Sequence, residues 1–185
     1  MKKIKLTSLL LILLCLCFTG CAVGKNKPDL KNLKNAEGEF QYPGLDWGSS
    51  LADIEAQLKA EAVSLGTHAD GTTESYHFSG VFGEGTDRIE LICEFQEDAL
   101  TWTTFSYFPE KDKEAFFDEM RRELFDVYGT VETQIVEREI PQGKQMGKVE
   151  SYFWLSESGS TNLSLSKMYM DKELTSITLS LYPVP

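Results

Sequence analysis

"TDRIELICEFQEDALTWTTFSYFP" (86–109) and "STNLSLSKMYMDKELTSITLSLYP" (160–183) align without a gap, and this pair decides the fold. Leu91/Leu165, Leu100/Leu174, Thr101/Thr175, Thr104/Thr178, Ser106/Ser180 and Pro109/Pro183 are identical. Ile89/Leu163, Phe95/Tyr169, Phe105/Leu179 and Phe108/Tyr182 exchange like for like. Within the first copy Ile89, Leu91, Cys93 and Phe95 alternate with Glu90 and Glu94, the period of a half-buried strand. "LTWTTFSYF" (100–108) is rich in threonine and aromatics, residues that suit a pleated surface. Each segment therefore reads as an antiparallel hairpin. A second "ESY" at 150–152 echoes the one at 74–76, which extends the similarity upstream. Chance likeness between two amphipathic hairpins is the alternative.

Outward from the hairpins, a helix signal precedes each copy. Ser50 reads as an N-cap with Asp53 completing a capping box, and Leu51, Ile54 and Leu58 share one helix face. A second helix is predicted from Lys113 to Tyr128, between an Asp112 N-cap and a Gly129 C-cap. Its apolar stripe is Phe117, Met120, Leu124, Val127 and Tyr128, widened by Phe116 and Phe125, with Asp118 and Arg122 as an i,i+4 pair on the wet side. Residues 65–73 read as a turn. Further strands are expected at Tyr76–Phe82, Thr133–Glu139, Glu150–Leu155, Asn162–Met170 and Leu174–Tyr182. The expectation is an α+β domain of two tandem α-β-β-β units, about 47–109 and 112–183. Their strands form one antiparallel sheet, and their helices pack on one face. Phase along the strand makes Cys93 a buried structural thiol and sets Trp102 on the more polar face with Thr104 and Ser106.

The first twenty residues are of another kind. Lys2, Lys3 and Lys5 precede an uncharged run, Leu6 to Phe18, followed by the small Thr19 and Gly20. Basic, apolar, small is the order of an export signal. The apolar run is 13 residues, short of the ~20 that cross a bilayer. Phe18-Thr19-Gly20-Cys21 resembles the lipobox of bacterial lipoproteins, with Phe18 where that family prefers leucine. The resemblance implies cleavage before Cys21 and a diacylglyceryl group on its sulfur, with acyl chains such as palmitate as the membrane partner. It also implies a position on the extracytoplasmic face of the cell membrane. Cys15 and Cys17 leave with the signal. A plain secretory signal cut at another small residue is the alternative.

With the three leader lysines removed, 15 of the 18 basic residues face all 29 acidic ones, a net charge near −14. Such a chain repels phosphate backbones, which excludes nucleic acid as partner. Beyond Cys21 only Cys93 remains, so no disulfide framework exists. Residues 21–39 read as a polar, flexible tether, in which Lys25, Lys27, Lys31 and Lys34 either touch anionic head groups or are simply solvated. The folded domain is expected over 40–185.

The tandem organisation is similar to that of the β-lactamase-inhibitor-protein family and its small exported relatives. In that family repeated helix-plus-sheet units present a concave sheet face to a protein partner, braced by disulfides that have no counterpart here. Trp47–Ile54 also looks like the opening of many small exported bacterial domains. Anchor, tether, repeated sheet domain and the lack of a catalytic set together point to a membrane-anchored binding or protein-interaction module with a protein or envelope partner. No binding residue carries over from that family; Trp102 and Trp154 are candidate contact residues by their strand position, with a helix-covered core position as the alternative for each.

Signs of catalysis are sparse. His68 and His77 have no third ligand at zinc spacing, so neither metal nor cofactor is expected. Ser156, Ser158 and Ser160 lie in a turn without a nucleophile elbow. "GVFGEG" (80–85) lacks the lysine and helix of a phosphate loop and reads as a hairpin turn. Glu97 and Asp98 sit at a solvated turn. An envelope-associated hydrolase is the alternative function.

Overall fold

Ser50 opens the first helix as its capping box predicts. Its hydroxyl accepts from Asp53 N at 3.2 Å, and its own N–H reaches Asp53 Oδ2 at 3.4 Å. The computed structural model describes residues 27–82, 88–139, 146–170 and 172–184. In chain order the elements are α1 (Leu51–Leu58), β1 (Ala62–Thr67), β2 (Thr73–Phe78), β3 (Arg88–Gln96), β4 (Ala99–Phe108), α2 (Lys113–Tyr128), β5 (Thr133–Glu139), β6 (Met146–Leu155), β7 (Thr161–Met170) and β8 (Glu173–Pro183). All eight strands form one antiparallel sheet in the order β1-β2-β3-β4-β8-β7-β6-β5. The domain is α+β and mostly sheet.

Among the described residues four strands follow each helix, so the repeating unit has one strand more than the α-β-β-β expectation. The additional first strand, β1, falls across the turn expected at 65–73. Gly66 and Thr67 belong to it, and the turn proper begins at His68.

The two hairpins carry the same irregularity at aligned positions. The β3–β4 ladder shifts between Glu94 and Phe95, and the β7–β8 ladder between Met168 and Tyr169. Thr101 donates its hydroxyl to the bulged Glu94 carbonyl at 3.2 Å, and Thr175 to that of Met168 at 2.9 Å. A bulge bends a strand and sharpens its twist. At the β3–β4 turn Glu97 and Asp98 both have positive φ, 52° and 62°, as a two-residue hairpin turn requires. Asp98 Oδ1 then accepts from Leu51 N, so the turn caps α1.

The core lies on one side of the sheet. Leu91, Cys93, Phe105, Leu163, Leu165, Leu179 and Leu181 are fully buried there, and Ile54, Phe117, Met120 and Leu124 of the helices join them. Phe125 meets Tyr152 and Trp154 edge-on, and Phe117 tilts against Tyr152. Val127, expected in the apolar stripe of α2, is instead exposed. Asp118 pairs with Arg121 one turn away at 3.0 Å rather than with Arg122, whose Nε bonds the Asp118 carbonyl.

The flexible tether expected over 21–39 is corrected from Pro28 onward. Pro28, Leu30 and Leu33 are buried, and Phe40, Tyr42 and Leu45 continue the same arm into the core. Leu33 N donates to the Tyr128 hydroxyl, Phe40 packs edge-on against the Tyr128 ring, and Tyr42 tilts over Phe105. Apolar side chains spaced between lysines and asparagines make this segment look polar in sequence while it buries one edge. The leader, Cys21 and the first tether residues lie outside the described residues, as do positions 83–87 of the glycine-rich turn. No described helix is long and apolar enough to cross a membrane.

Candidate functional site

Strand alternation sends every second residue to the face opposite the core. On β4 these are Trp102, Thr104 and Ser106. The pairing registers bring Ser180 and Thr178 of β8 beside them, then Ser164 and Ser166 of β7, and Ser151 and Phe153 of β6. Glu90, Ile92 and Glu94 of β3 lie on the other flank, opposite Ser106, Thr104 and Trp102, so carboxylates border the β4 side. The middle of this outer face is thus a field of small hydroxyls without charge. They bond to one another: Thr104 to Ser180 at 2.9 Å and Ser151 to Ser166 at 2.8 Å.

Trp102 borders the field as its phase predicts. Its indole N–H donates to Thr104 Oγ1 at 2.9 Å. Its ring stacks on Tyr182, with centroids 3.8 Å apart and planes 2° from parallel. Partial burial pushes the Tyr182 phenol above its usual range. Sequence reading passed over Tyr182, because only the β4–β8 seam puts it beside Trp102. Trp154, the other candidate contact, is corrected. It is 2% exposed, its ring meets Phe125, and its N–H donates to the Gly129 carbonyl at 2.7 Å. Trp154 pairs with the buried Leu163, so its phase puts it in the core.

A polar cluster adjoins Trp102. His68 Nε2 lies 2.6 Å from Ser75 Oγ and 3.7 Å from Glu94 Oε1, and Glu94 sits across the ladder from Trp102. Burial raises the Glu94 carboxyl, and the His68 imidazole opposes that shift. Asp70, in the turn below, is held at about 2 by the backbone N–H groups of Thr73 and Thr72. A serine–histidine–acid relay needs the hydroxyl on one imidazole nitrogen and the acid on the other. Here both approach Nε2, so the set is a hydrogen-bonded cluster without relay geometry. His77 stands on β2 apart from it. Among the described residues no group of three histidine, cysteine or acidic side chains is placed to hold a metal ion.

The serines at 156, 158 and 160 have a definite task. Ser158 Oγ donates to Glu39 Oε1 at 2.5 Å and Thr161 Oγ1 to Oε2 at 2.7 Å, while Phe40 N donates to Thr161 Oγ1. These hydroxyls, Ser158 foremost and then Thr161 and Ser156, hold the Glu39 carboxyl down at about 2. The turn is a clasp for the N-terminal arm. Sequence reading missed it because Glu39 lies more than a hundred residues from its partners.

Lys167 lies on the core face between Glu114 Oε2 at 3.1 Å and Glu150 Oε2 at 3.6 Å, above the Phe117 ring. Burial works against its charge and is outweighed by Tyr169, Glu114 and Glu150, which hold the ammonium above its usual range. The group pins the start of α2 to β7. An open hollow of about 380 Å³ lies beside α1, lined by Leu51, Tyr76, Phe95, Glu74, Glu97 and Asp98. No protein-family model, no curated protein and no solved structure matches the chain.

Proposed function

We propose that this chain is an exported lipoprotein, held at the extracytoplasmic face of the cell membrane through Cys21. Its domain binds a protein or envelope partner on the outer face of the sheet. The observation that carries the binding reading is the Trp102–Tyr182 stack at the margin of an uncharged hydroxyl field. Stacked aromatics offer large contact area at low entropic cost, and a hydroxyl surface imposes no charge penalty on what covers it.

The domain is further inferred to be a duplication, α1 through β4 and α2 through β8, with the helices on the same face of the sheet. Supporting this are the matched bulges, the matched threonine bonds behind them, and a strand order that reads symmetrically about the β4–β8 seam. Such a duplication sets the binding face astride the seam, where strands of both units meet.

The test is photo-crosslinking in intact cells from position 106, on the outer face of β4. A position on α2, Val127, serves as control. A specific crosslinked partner at 106 that disappears when Trp102→Ala is added supports the reading. Equal labelling from both positions, or labelling indifferent to Trp102, rejects it.

A further inference from the structure

The sheet ends in two edge strands, and they are built differently. β1 is broken by a register shift between Ser64 and Gly66, with Gly66 at φ +108°. A bulge of this kind blunts an edge against pairing. β5 has no such device. Its seven positions pair with β6 in unbroken register, and among the described residues no strand lies on its other side. Ile135 and Val136 are aliphatic, point to opposite faces, and are 55% and 52% exposed. A regular unpaired edge with aliphatic residues on both faces is a template for another strand.

We propose that β5 pairs antiparallel with β5 of a second copy of this chain, joining the two sheets into one about a twofold axis at Val136. Opposed residues in an antiparallel pair must both turn their backbone groups toward the partner, or both away. A twofold axis between identical strands therefore passes at a residue, not between two. Centring it on Glu137 opposes that carboxylate to its own copy, a like-charge pair that destabilises a ladder. Centring it on Ile135 leaves the C-terminal end of the strand unpaired. Val136 is the midpoint of Thr133–Glu139, so an axis there pairs every position of the strand. It sets Val136 against Val136 on one face and Ile135 against Glu137 on the other, with no like charges opposed. The strand is self-complementary in this one register, which favours a second copy over an unrelated extended peptide. Joining β5 to the bulged β1 of another copy offers no continuous ladder.

The experiment uses the full-length chain in its expressing cells. Directly opposed residues in an antiparallel pair have Cα atoms about 4.5–5.5 Å apart, within the span of a disulfide. Val136→Cys should therefore form a disulfide-linked dimer on mild oxidation. Ile135→Cys, whose partner is position 137, should not, nor should the unaltered chain, whose Cys93 is buried and whose Cys21 sulfur carries the lipid on the proposed reading. Sedimentation of the purified full-length protein should show a dimer that Val136→Lys converts to monomer. That variant should keep its circular dichroism, because the side chain is half in water, and should melt at the temperature of the wild type diluted to its monomeric range. A wild-type monomer at every concentration overturns the proposal. So does crosslinking through Ile135→Cys in place of Val136→Cys, or a Val136→Cys adduct of any mass other than twice the chain.

Discussion

Phe105 and Leu179, aligned residues of the two hairpins, stand directly opposite one another where β4 meets β8, and both are fully buried. The sheet is continuous through this contact, so the two halves of the domain share a core there. Truncating either residue should cost stability to the whole fold. Phe105→Ala should lose about 3–5 kcal/mol and Leu179→Ala about 2–5 kcal/mol. Denaturant melts followed by tryptophan fluorescence should show a single transition for each. Two separate transitions in Leu179→Ala would mean the halves fold independently.

Trp102→Ala should cost less than Phe105→Ala in the same melts. It forfeits the Tyr182 stack, worth about 0.5–1.5 kcal/mol beyond area, from a position already part in water. The larger effect should fall on partner binding. A melt that drops as far as that of Phe105→Ala would mark Trp102 as core.

Cys93 is 0% exposed, and burial pushes its thiol up to about 12. The thiolate is the reactive form, so aromatic disulfide reagents at neutral pH should leave Cys93 unmodified in the folded protein. Labelling should proceed at the rate of unfolding. Fast labelling under native conditions would show that the strand phase at Leu91–Phe95 is wrong.

Glu39 supplies a pH signature. Its carboxyl is held at about 2 in the fold, against 4.5 when free. A depressed folded value stabilises the protein above the free value, and the contribution is lost as pH falls from about 4.5 to about 2. Wild type should therefore be more stable than Glu39→Gln at neutral pH by a margin that shrinks below pH 4.5 and vanishes near pH 2. A margin that does not change with pH would mean the Ser158–Thr161 clasp does not bind the charged form.

Cys21→Ser should abolish lipid labelling and leave either uncleaved precursor or protein released from the membrane fraction. Processed, lipid-labelled protein from this variant would defeat the lipoprotein reading.

Legibility in the sequence followed burial. Leu91, Cys93 and Phe95 share one face of β3 and Glu90 and Glu94 the other, with Ile92 the one apolar exception, because one face meets the core and the other does not, so their phase could be read directly. The caps at Ser50, Asp112 and Gly129 were equally plain, since each satisfies backbone groups within its own helix end. β1 was hidden because five of its six residues are exposed and no core contact imposes a period on it. The part of the arm before Phe40 was hidden for the opposite reason: Pro28, Leu30 and Leu33 are spaced by no helix or strand, and only tertiary contacts reveal them. At the candidate site Trp102 was visible from strand phase. Its companion Tyr182, and the inward turn of Trp154, depend on how strands distant in sequence are paired.

If Cys21 carries a lipid, as proposed, the packing of the arm also limits how far the domain can stand from the bilayer. A free tether through residue 39 would reach about 60 Å when extended, but with Pro28 buried only the six positions 22–27 separate Cys21 from the packed arm. At about 3.3 Å per residue that leash is roughly 20 Å long, shorter than the domain is wide. A lipid-anchored copy would be confined to a thin layer against the membrane surface. On that reading a bound partner would have to come to that layer, as a membrane protein's extracytoplasmic loop does, rather than wait deeper in the envelope.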